Sequence, residues 1–414
     1  MYILALNCGS STLKFQVFDT KTYAPVCKGN AEKIGENGSF ATFKGADGKS
    51  TRHDIAMANH SDALTAVIDL LRENGIPLDE IGGVGHRVVH GGDKFACSVA
   101  VTDEVIKTIR ELSDLAPLHN PANLIGIVAA REVLPNAVQV AVFDTAFHQT
   151  MPDFHYRYAV PGAWYRELGV RKYGFHGTSH LYVAKRAAAL LGRPASECNV
   201  ISMHMGSGAS ACAVRHGYAI DTSLGMTPLA GLVMGTRCGD LDPSIPFYVK
   251  EKLGLSDKLV LEALNKQSGI LGVTECYADR RDVLDHYRED DKCRLAMEME
   301  AARAKKFIGS YMAAMGEETH AIVFTAGVGE NNADIRAKIC ENMEHLGVKL
   351  DAEKNIAAKA FLGAGEMEIS APDSKVKVFM IPTNEELVLV EDTVAIMNGT
   401  YNPDHVKMDY SFAK

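Results

Sequence analysis

The sequence predicts an α/β or α+β protein built on mixed β-sheets, and three observations carry that prediction. Strand-like apolar runs alternate with amphipathic helical stretches along the whole chain. A β-turn-β unit near the N-terminus is echoed about half a chain later. At 414 residues the chain exceeds what one ordinary core holds, so two or three domains are expected.

Taken in order, residues 3–19 (ILALNCGSSTLKFQVFD) read as strand, tight polar turn, strand. Residues 62–73 form a helix with Leu64, Val67, Ile68 and Leu71 on one face. Another helix is expected to begin at Asn120, with Asn120 as N-cap and Pro121 as first helical residue. A third runs over about 179–191 and is closed by Gly192 and Pro194. The second β-turn-β unit covers residues 200–214 (VISMHMGSGASACAV), and a long helix fills about 290–315. No segment is low in complexity and no linker stands out.

Composition narrows the function classes. Hydrophobic residues make up 47% and charged residues 23%, the profile of a packed globular protein. The formal net charge of −9 argues against nucleic acid or an anionic membrane as a main partner. Anionic substrates would then need local arginines, helix N-termini or a metal ion. The N-terminus MYILALNCGSS lacks the charged n-region of a signal peptide, and no apolar run approaches the ~20 residues of a membrane span. Nine cysteines without a C-x-x-C pair are expected as free thiols in a reducing cytoplasm.

Several motifs carry chemistry. A β-hairpin tipped with Gly and Ser presents backbone N–H groups and hydroxyls to an anion, and two such hairpins could grip a polyphosphate. In 321–331 (AIVFTAGVGEN) a buried strand leads to a Gly-rich turn and then a helix with Asn331 at its start, a candidate adenosine-binding turn. Arg87 in GHRVVHGG and Arg237 in MGTRCGDLDP lie among glycines, where guanidinium forks suit a carboxylate or a phosphoryl group; a structural salt bridge is the alternative. Asp144 ends an apolar strand, where a metal-binding carboxylate is usual, and Glu385 is expected in a loop before the terminal helix. His176 and His180 stand at i and i+4, but Gly177 and the missing Glu disfavour zinc; a loop His176 with Thr178 or Ser179 capping the next helix is expected.

With these motifs together, the chain closely resembles the acetate kinases, the acetokinase family of the acetate and sugar kinase/Hsp70/actin superfamily. The resemblance runs from about residue 3 to about residue 398 through NCGSSTLK, GHRVVHGG, FDTAFH, YGFHGTSH, GTRCGDLDP, GVGEN and TNEEL. It implies a two-domain actin-like ATPase (ribonuclease H-like) fold, with duplicated mixed-sheet cores flanked by helices and a central cleft. The N-terminal domain is expected at 1–148 plus 386–414, and a nucleotide-binding domain at 149–385. It also implies reversible transfer from ATP to acetate, giving acetyl phosphate and ADP, with Mg²⁺ (or Mn²⁺) as cofactor and a homodimer as the assembly.

By the same resemblance, Asn7 and Glu385 match the Mg²⁺-associated positions, and Ser10, Thr12 and Lys14 the N-terminal ATP-contacting turn. Asp144 matches the catalytic aspartate, and His176 and Arg237 the transition-state stabilisers. Arg87 matches the substrate arginine, with Val89, Leu118, Phe175 and Pro228 matching the pocket for the methyl group. His204, Met205, Gly206, Ser207 and Gly208 match the second phosphate loop. Asp279, Arg280, Arg281, Gly327, Val328, Gly329, Glu330 and Asn331 match nucleotide-contacting segments. Ser207 departs from the family's usual Asn and leaves room for altered donor preference, while Thr12 keeps the hydroxyl of the usual Ser. The alternatives are a propionate or butyrate kinase, for which Val89 is the discriminating position, and a non-catalytic nucleotide switch, which has no need of Arg87, His176 and Arg237. The tail after about residue 398 is assigned no role.

Overall fold

In the computed structural model, which describes residues 1–117 and 119–414, the chain divides into two compact units. Met1–Gln149 and Asn384–Ser411 form the first; Thr150–Thr383 and Phe412–Lys414 form the second. Leu118 lies outside the described residues.

The first unit is built on β1 (Tyr2–Cys8), β2 (Thr12–Asp19), β3 (Pro25–Glu32), β4 (Phe40–Gly45), β5 (Ser50–Asp54), β6 (Ile81–Val88), β7 (Val99–Ala100) and β8 (Val138–Phe143). These eight strands form one sheet in the order β5-β4-β3-β2-β1-β6-β8-β7. β1 pairs antiparallel with β2, whereas β1, β6 and β8 run parallel. Parallel neighbours need crossovers, and helices His60–Glu73 and Asn120–Val133 supply them.

Strand alternation sends side chains to two faces. Leu4, Leu6 and Leu13 join Leu64 and Leu71 of helix His60–Glu73 in one core. Ile3, Ala5, Val140 and Val142 pack on the other face against Leu389, Val390 and Val394 of helix Glu385–Met397. Full burial of each leucine, isoleucine or valine among them contributes about 1.5–3 kcal/mol. The closeness of that helix depends on Gly83 and Gly85. A Cβ at 83 would lie 2.6 Å from Met397 Sδ, and one at 85 would lie 2.8 Å from Thr393 Oγ1. These glycines seat the helix so that Glu385 and Glu386, at its start, share a cavity with Arg87.

The second unit holds β9 (Asn199–Met205), β10 (Ala209–Arg215), β11 (Tyr218–Thr222), β12 (Ala321–Thr325), β13 (Met367–Glu368) and β14 (Lys377–Met380) in the order β11-β10-β9-β12-β14-β13. β9 is antiparallel to β10 and parallel to β12, which is parallel to β14. In order and sense, β9, β10, β11, β12 and β14 therefore repeat β1, β2, β3, β6 and β8. This is the duplicated ribonuclease H-like core of the actin-like ATPase fold, and it explains the echo in the sequence. Among the described residues, no helix is long and apolar enough to cross a membrane.

Local expectations need correction in five places. Asn120 is not an N-cap but the first residue of its helix, because its amide is held by the backbone of His90, accepting from N at 3.1 Å and donating to O at 2.9 Å. The GVGEN stretch is no open turn: helix Ala326–Asn331 starts directly after β12, so Asn331 ends it, and Asn332 caps the next helix, Ala333–Cys340. Glu385 is the first residue of its helix, with Asn384 capping Leu387 N–H. Thr178 and Ser179 lie inside helix Gly177–Leu190, and His176 occupies the cap position. The tail is packed rather than idle: Ser411 donates to Glu391, and the Phe412 ring lies tilted against Tyr182 with centroids 4.8 Å apart.

Candidate active site

In the first unit the predicted residues gather at the carboxyl ends of β6 and β8. The register sets Arg87 opposite Val142, two residues before Asp144. Arg87 therefore reaches Asp144 with both prongs, Nε to Oδ1 at 2.9 Å and Nη2 to Oδ2 at 2.7 Å. Burial works against the Arg87 charge, but the fields of Asp144 and Glu385 outweigh it and hold the guanidinium protonated. Burial pushes the Asp144 carboxyl up, with Arg87 opposing. Glu385 lies 3.9 Å from Arg87, and burial raises Glu386 beside it. Asn7, Lys14, Arg87, Glu385 and Glu386 line one cavity of about 510 Å³. Ser10 is exposed and Thr12 half-buried at the turn between β1 and β2. Val89 follows β6, its N–H donating to Asn123 Oδ1 at 3.0 Å.

In the second unit the residues collect around the tip of the β9–β10 hairpin. Gly206 N–H donates to Gly208 O at 2.9 Å and closes the turn. A Cβ at Gly208 would stand 3.3 Å from Arg237 Nη1 and 3.7 Å from His176 Nε2, so both side chains face one point beside the hairpin backbone. Only glycine leaves that point open. The Arg237 loop is tied to the tip by Gly235 N–H donating to Ser207 O at 3.3 Å, while Ser207 itself is exposed. Arg237 Nη1 also donates to the Pro228 carbonyl at 3.1 Å. Burial lowers the pKa of Arg237, and it makes no ion pair among the described residues.

His176 adopts a left-handed backbone (φ 58°), a conformation a non-glycine residue holds at a cost of about 1–3 kcal/mol. Its ring stacks on His204 at 4.1 Å, and Phe175 before it is buried. A chain of short contacts fixes the ring: His176 Nδ1 to Ser210 Oγ at 2.8 Å, Ser210 Oγ to His180 Nε2 at 2.7 Å, His180 Nδ1 to Ser202 Oγ at 2.7 Å. His204 Nδ1 meets Ser179 Oγ at 2.8 Å. Both nitrogens of His180 are thus engaged by serines. Sequence reasoning missed Ser202 and Ser210; the signal was a buried hydroxyl recurring on otherwise apolar strands.

The segments matched to nucleotide contacts divide. Gly327 is exposed, with nothing within 4 Å of where a side chain would begin, and Val328 is half-buried. Gly329 instead serves packing, since a Cβ there would lie 3.3 Å from the Phe324 backbone. Glu330 Oε1 accepts from Ala326 N–H at 2.8 Å and Thr383 N–H at 3.0 Å, holding the left-handed Ala326 at the strand-to-helix junction. Asn331 uses both ends of its amide internally, on Gly327 O and Phe361 N–H. Arg280 is buried against Glu300 at 2.9 Å, and Asp279 caps helix Arg280–His286 while pairing with the exposed Arg281. Glu330, Asn331 and Arg280 are thus engaged within the protein. Met205 is buried in β9.

Comparison with known proteins gives a consistent result. The model of the acetokinase family matches residues 2–391. An acetate kinase of Trichlorobacter lovleyi is 52% identical over 100% of this chain and 99% of its own length. One from Geobacter sulfurreducens is 50% identical over 100% and 99%. The crystal structure of Porphyromonas gingivalis acetate kinase superposes with a TM-score of 0.91 at 43% identity, covering 96% of this chain and 99% of that one. A propionate kinase from Francisella tularensis gives 0.87 at 41%, covering 94% and 98%. The chain belongs to the acetokinase family and is a kinase.

Proposed function

We propose that this kinase transfers a phosphoryl group reversibly between ATP and acetate, directly and in line, giving acetyl phosphate and ADP. Family membership supports the reaction class. The observation that carries the allocation of roles is the convergence of His176 Nε2 and Arg237 Nη1 beside Gly208. A carboxylate with a pKa near the ~4 of Asp or Glu is already ionised at pH 7, so no general base is needed. Catalysis then reduces to positioning and to neutralising charge on the equatorial phosphoryl oxygens. Arg237 and His176 are the donors for that charge.

Ser210 supports a choice of the proton that His176 offers. One hydroxyl stands between two imidazoles and has a single proton to give. In this reading Ser210 accepts from His180 Nε2–H and donates to His176 Nδ1. The His176 proton then sits on Nε2, the atom facing Gly208. Asp144, held by both prongs of Arg87, orients that guanidinium rather than accepting a proton, and Arg87 Nη1 remains for the acyl carboxylate. Val89 in the first unit, and Phe175 and Pro228 in the second, are the apolar residues matched to the methyl group, and the open face at Gly327 receives adenosine.

The residues present fit Mg²⁺. Among the described residues no three His, Cys, Asp or Glu side chains form a cage, but this ion usually takes only one or two carboxylates together with phosphate oxygens and water. Asp144, Glu385 and Glu386 outnumber Arg87 and Lys14 in the first-unit site, and burial raises both Asp144 and Glu386, with the Glu385 charge adding to it. Asn7 and Glu385 would hold the ion, which when bound would neutralise phosphate charge. A homodimer and a reducing cytoplasm complete the reading, the latter supported by nine free thiols.

The similarity to a propionate kinase keeps a longer acyl chain in view, since one methylene discriminates by only about 1–3 kcal/mol. Trapping acyl phosphate as hydroxamate, with acetate, propionate and butyrate against ATP, GTP and pyrophosphate, tests the assignment. Acetate with ATP is expected to give the highest kcat/KM. Absence of acyl phosphate from every pair would remove the reading, and a preference for propionate would shift its substrate.

A further inference from the structure

The cavity beside Arg87 extends well beyond the residues used above. From Asn7 on β1 it crosses β2, β3 and β4, and Lys14, Lys28 and Lys44 stand along it. All three project from the face that carries Asn7. The register places Lys28 directly opposite Lys44, and Lys14 opposite Asn30, two residues from Lys28. Directly opposed side chains stand about 4.5–5.5 Å apart at Cβ and diagonal ones about 7–8 Å, and like charges so placed are destabilising.

None of the three lysines makes an ion pair among the described residues, although acidic residues outnumber basic ones, 52 to 43. Elsewhere on the surface, lysines meet carboxylates, as Lys49 meets Asp47, Lys250 Asp257 and Lys377 Glu368. Nearby on β5, Arg52 is matched by Asp54. Glu32, further along β3, stands diagonal to Lys14 but accepts from Asn30 and makes no ion pair with a lysine among the described residues. The carboxylates that do line the cavity, Glu385 and Glu386, sit at its Arg87 end. Lys14, at the Arg87 end, feels the Glu386 charge, whereas Lys28 and Lys44 stand opposed with no carboxylate paired to either among the described residues, in a concavity floored by amides and hydroxyls.

We propose that this groove is a second anion site, which takes a linear oligophosphate along Lys14, Lys28 and Lys44. From β2 to β4 is two inter-strand steps, about 10 Å, more than a single phosphate spans. The residues lining the groove include Phe15 alone among aromatics, and its ring is buried, so a nucleobase would find no stacking face there. A chain of phosphates needs none. This site goes beyond the acyl-kinase reading and does not depend on which acid is the substrate.

Calorimetric titration of the full chain with sodium tripolyphosphate, without divalent cations, tests it. The Lys28→Gln/Lys44→Gln variant should bind at least tenfold more weakly than the wild-type chain. Wild-type affinity should fall steeply with added salt, as for a charge-dominated contact. Tripolyphosphate should raise the Tm of the wild-type chain and not that of the variant, and acyl phosphate formation should be unchanged. Adenosine 5′-tetraphosphate run alongside separates a free chain from a nucleotide tail, according to which ligand the two substitutions weaken more. Equal affinity of both proteins for both ligands, or binding insensitive to salt, would overturn the proposal. That result would leave the hydroxamate assay untouched.

Discussion

Two arginines that look alike in sequence are treated in opposite ways by the two units. Arg87 is clamped by both oxygens of Asp144, with Glu385 close behind, so its charge is matched before any substrate arrives. The Arg237 guanidinium is partly buried, donates to the Pro228 carbonyl and the Met234 sulfur, has no carboxylate partner among the described residues, and burial lowers its pKa. A guanidinium desolvated without a carboxylate gains most from an incoming anion. The first unit therefore presents an arginine already matched by a carboxylate, and the second an unneutralised cation beside Gly208. The difference teaches that a conspicuous arginine reveals its role through its partner, which lies far away in sequence.

A third arginine sharpens this most strongly. Arg280 and Glu300 are 6% and 2% exposed, so Arg280→Ala strands a buried carboxylate. Urea unfolding should show a loss of about 3–5 kcal/mol. If Arg280→Ala kept full stability but lost ATP affinity, the buried pair would not be its role.

The next effect is a pH dependence in the first unit. His86 adjoins Arg87 but faces the opposite side of β6, where burial, partly countered by its Gln139 bond, lowers its pKa from 6.5 to about 4. Below pH 6.5 the unfolded chain takes up a proton that the folded chain refuses. Stability attributable to His86 is thus full at neutral pH, falls as pH drops through that window, and levels off below about 4. The gap corresponds to about 3 kcal/mol. His90, also lowered to about 4 by burial, acts in the same direction. Unfolding at pH 7 and pH 4.5 should show a smaller loss for His86→Gln than for the wild-type chain; parallel losses would contradict it.

The smallest expected effect probes the second unit. Ser210→Ala removes the hydroxyl between His176 and His180 and should lower kcat about tenfold, or about 1.4 kcal/mol. Imidazole ¹⁵N NMR should report His176 as the Nε2–H tautomer in the wild-type chain, with that preference lost in the variant. An unchanged tautomer would remove Ser210 from this role.

Much of the fold was legible because its signals are local. The hairpins of β1–β2 and β9–β10 announce themselves through Gly-Ser turns between apolar strands, and their recurrence carries the duplication. What escaped depends on register. Arg87 and Asp144 are 57 residues apart and meet only because β6 and β8 are parallel neighbours. Lys28 and Lys44 face one another only once β3 and β4 pair. Asn120 and Asn331 have the residue type of caps, but distant backbone groups, at His90 and Phe361, claim their amides.

Unfolding and kinetics of Arg87→Ala and Arg237→Ala, measured side by side, test the central contrast. Arg87→Ala should lose about 3 kcal/mol, because Asp144 (2% exposed) is left without its partner. Arg237→Ala should stay within about 0.5 kcal/mol of the wild-type chain, while its kcat falls by about two orders of magnitude or more with little change in the KM for ATP. An Arg237→Ala protein that unfolds as readily as Arg87→Ala, or that loses only nucleotide affinity, would contradict the account.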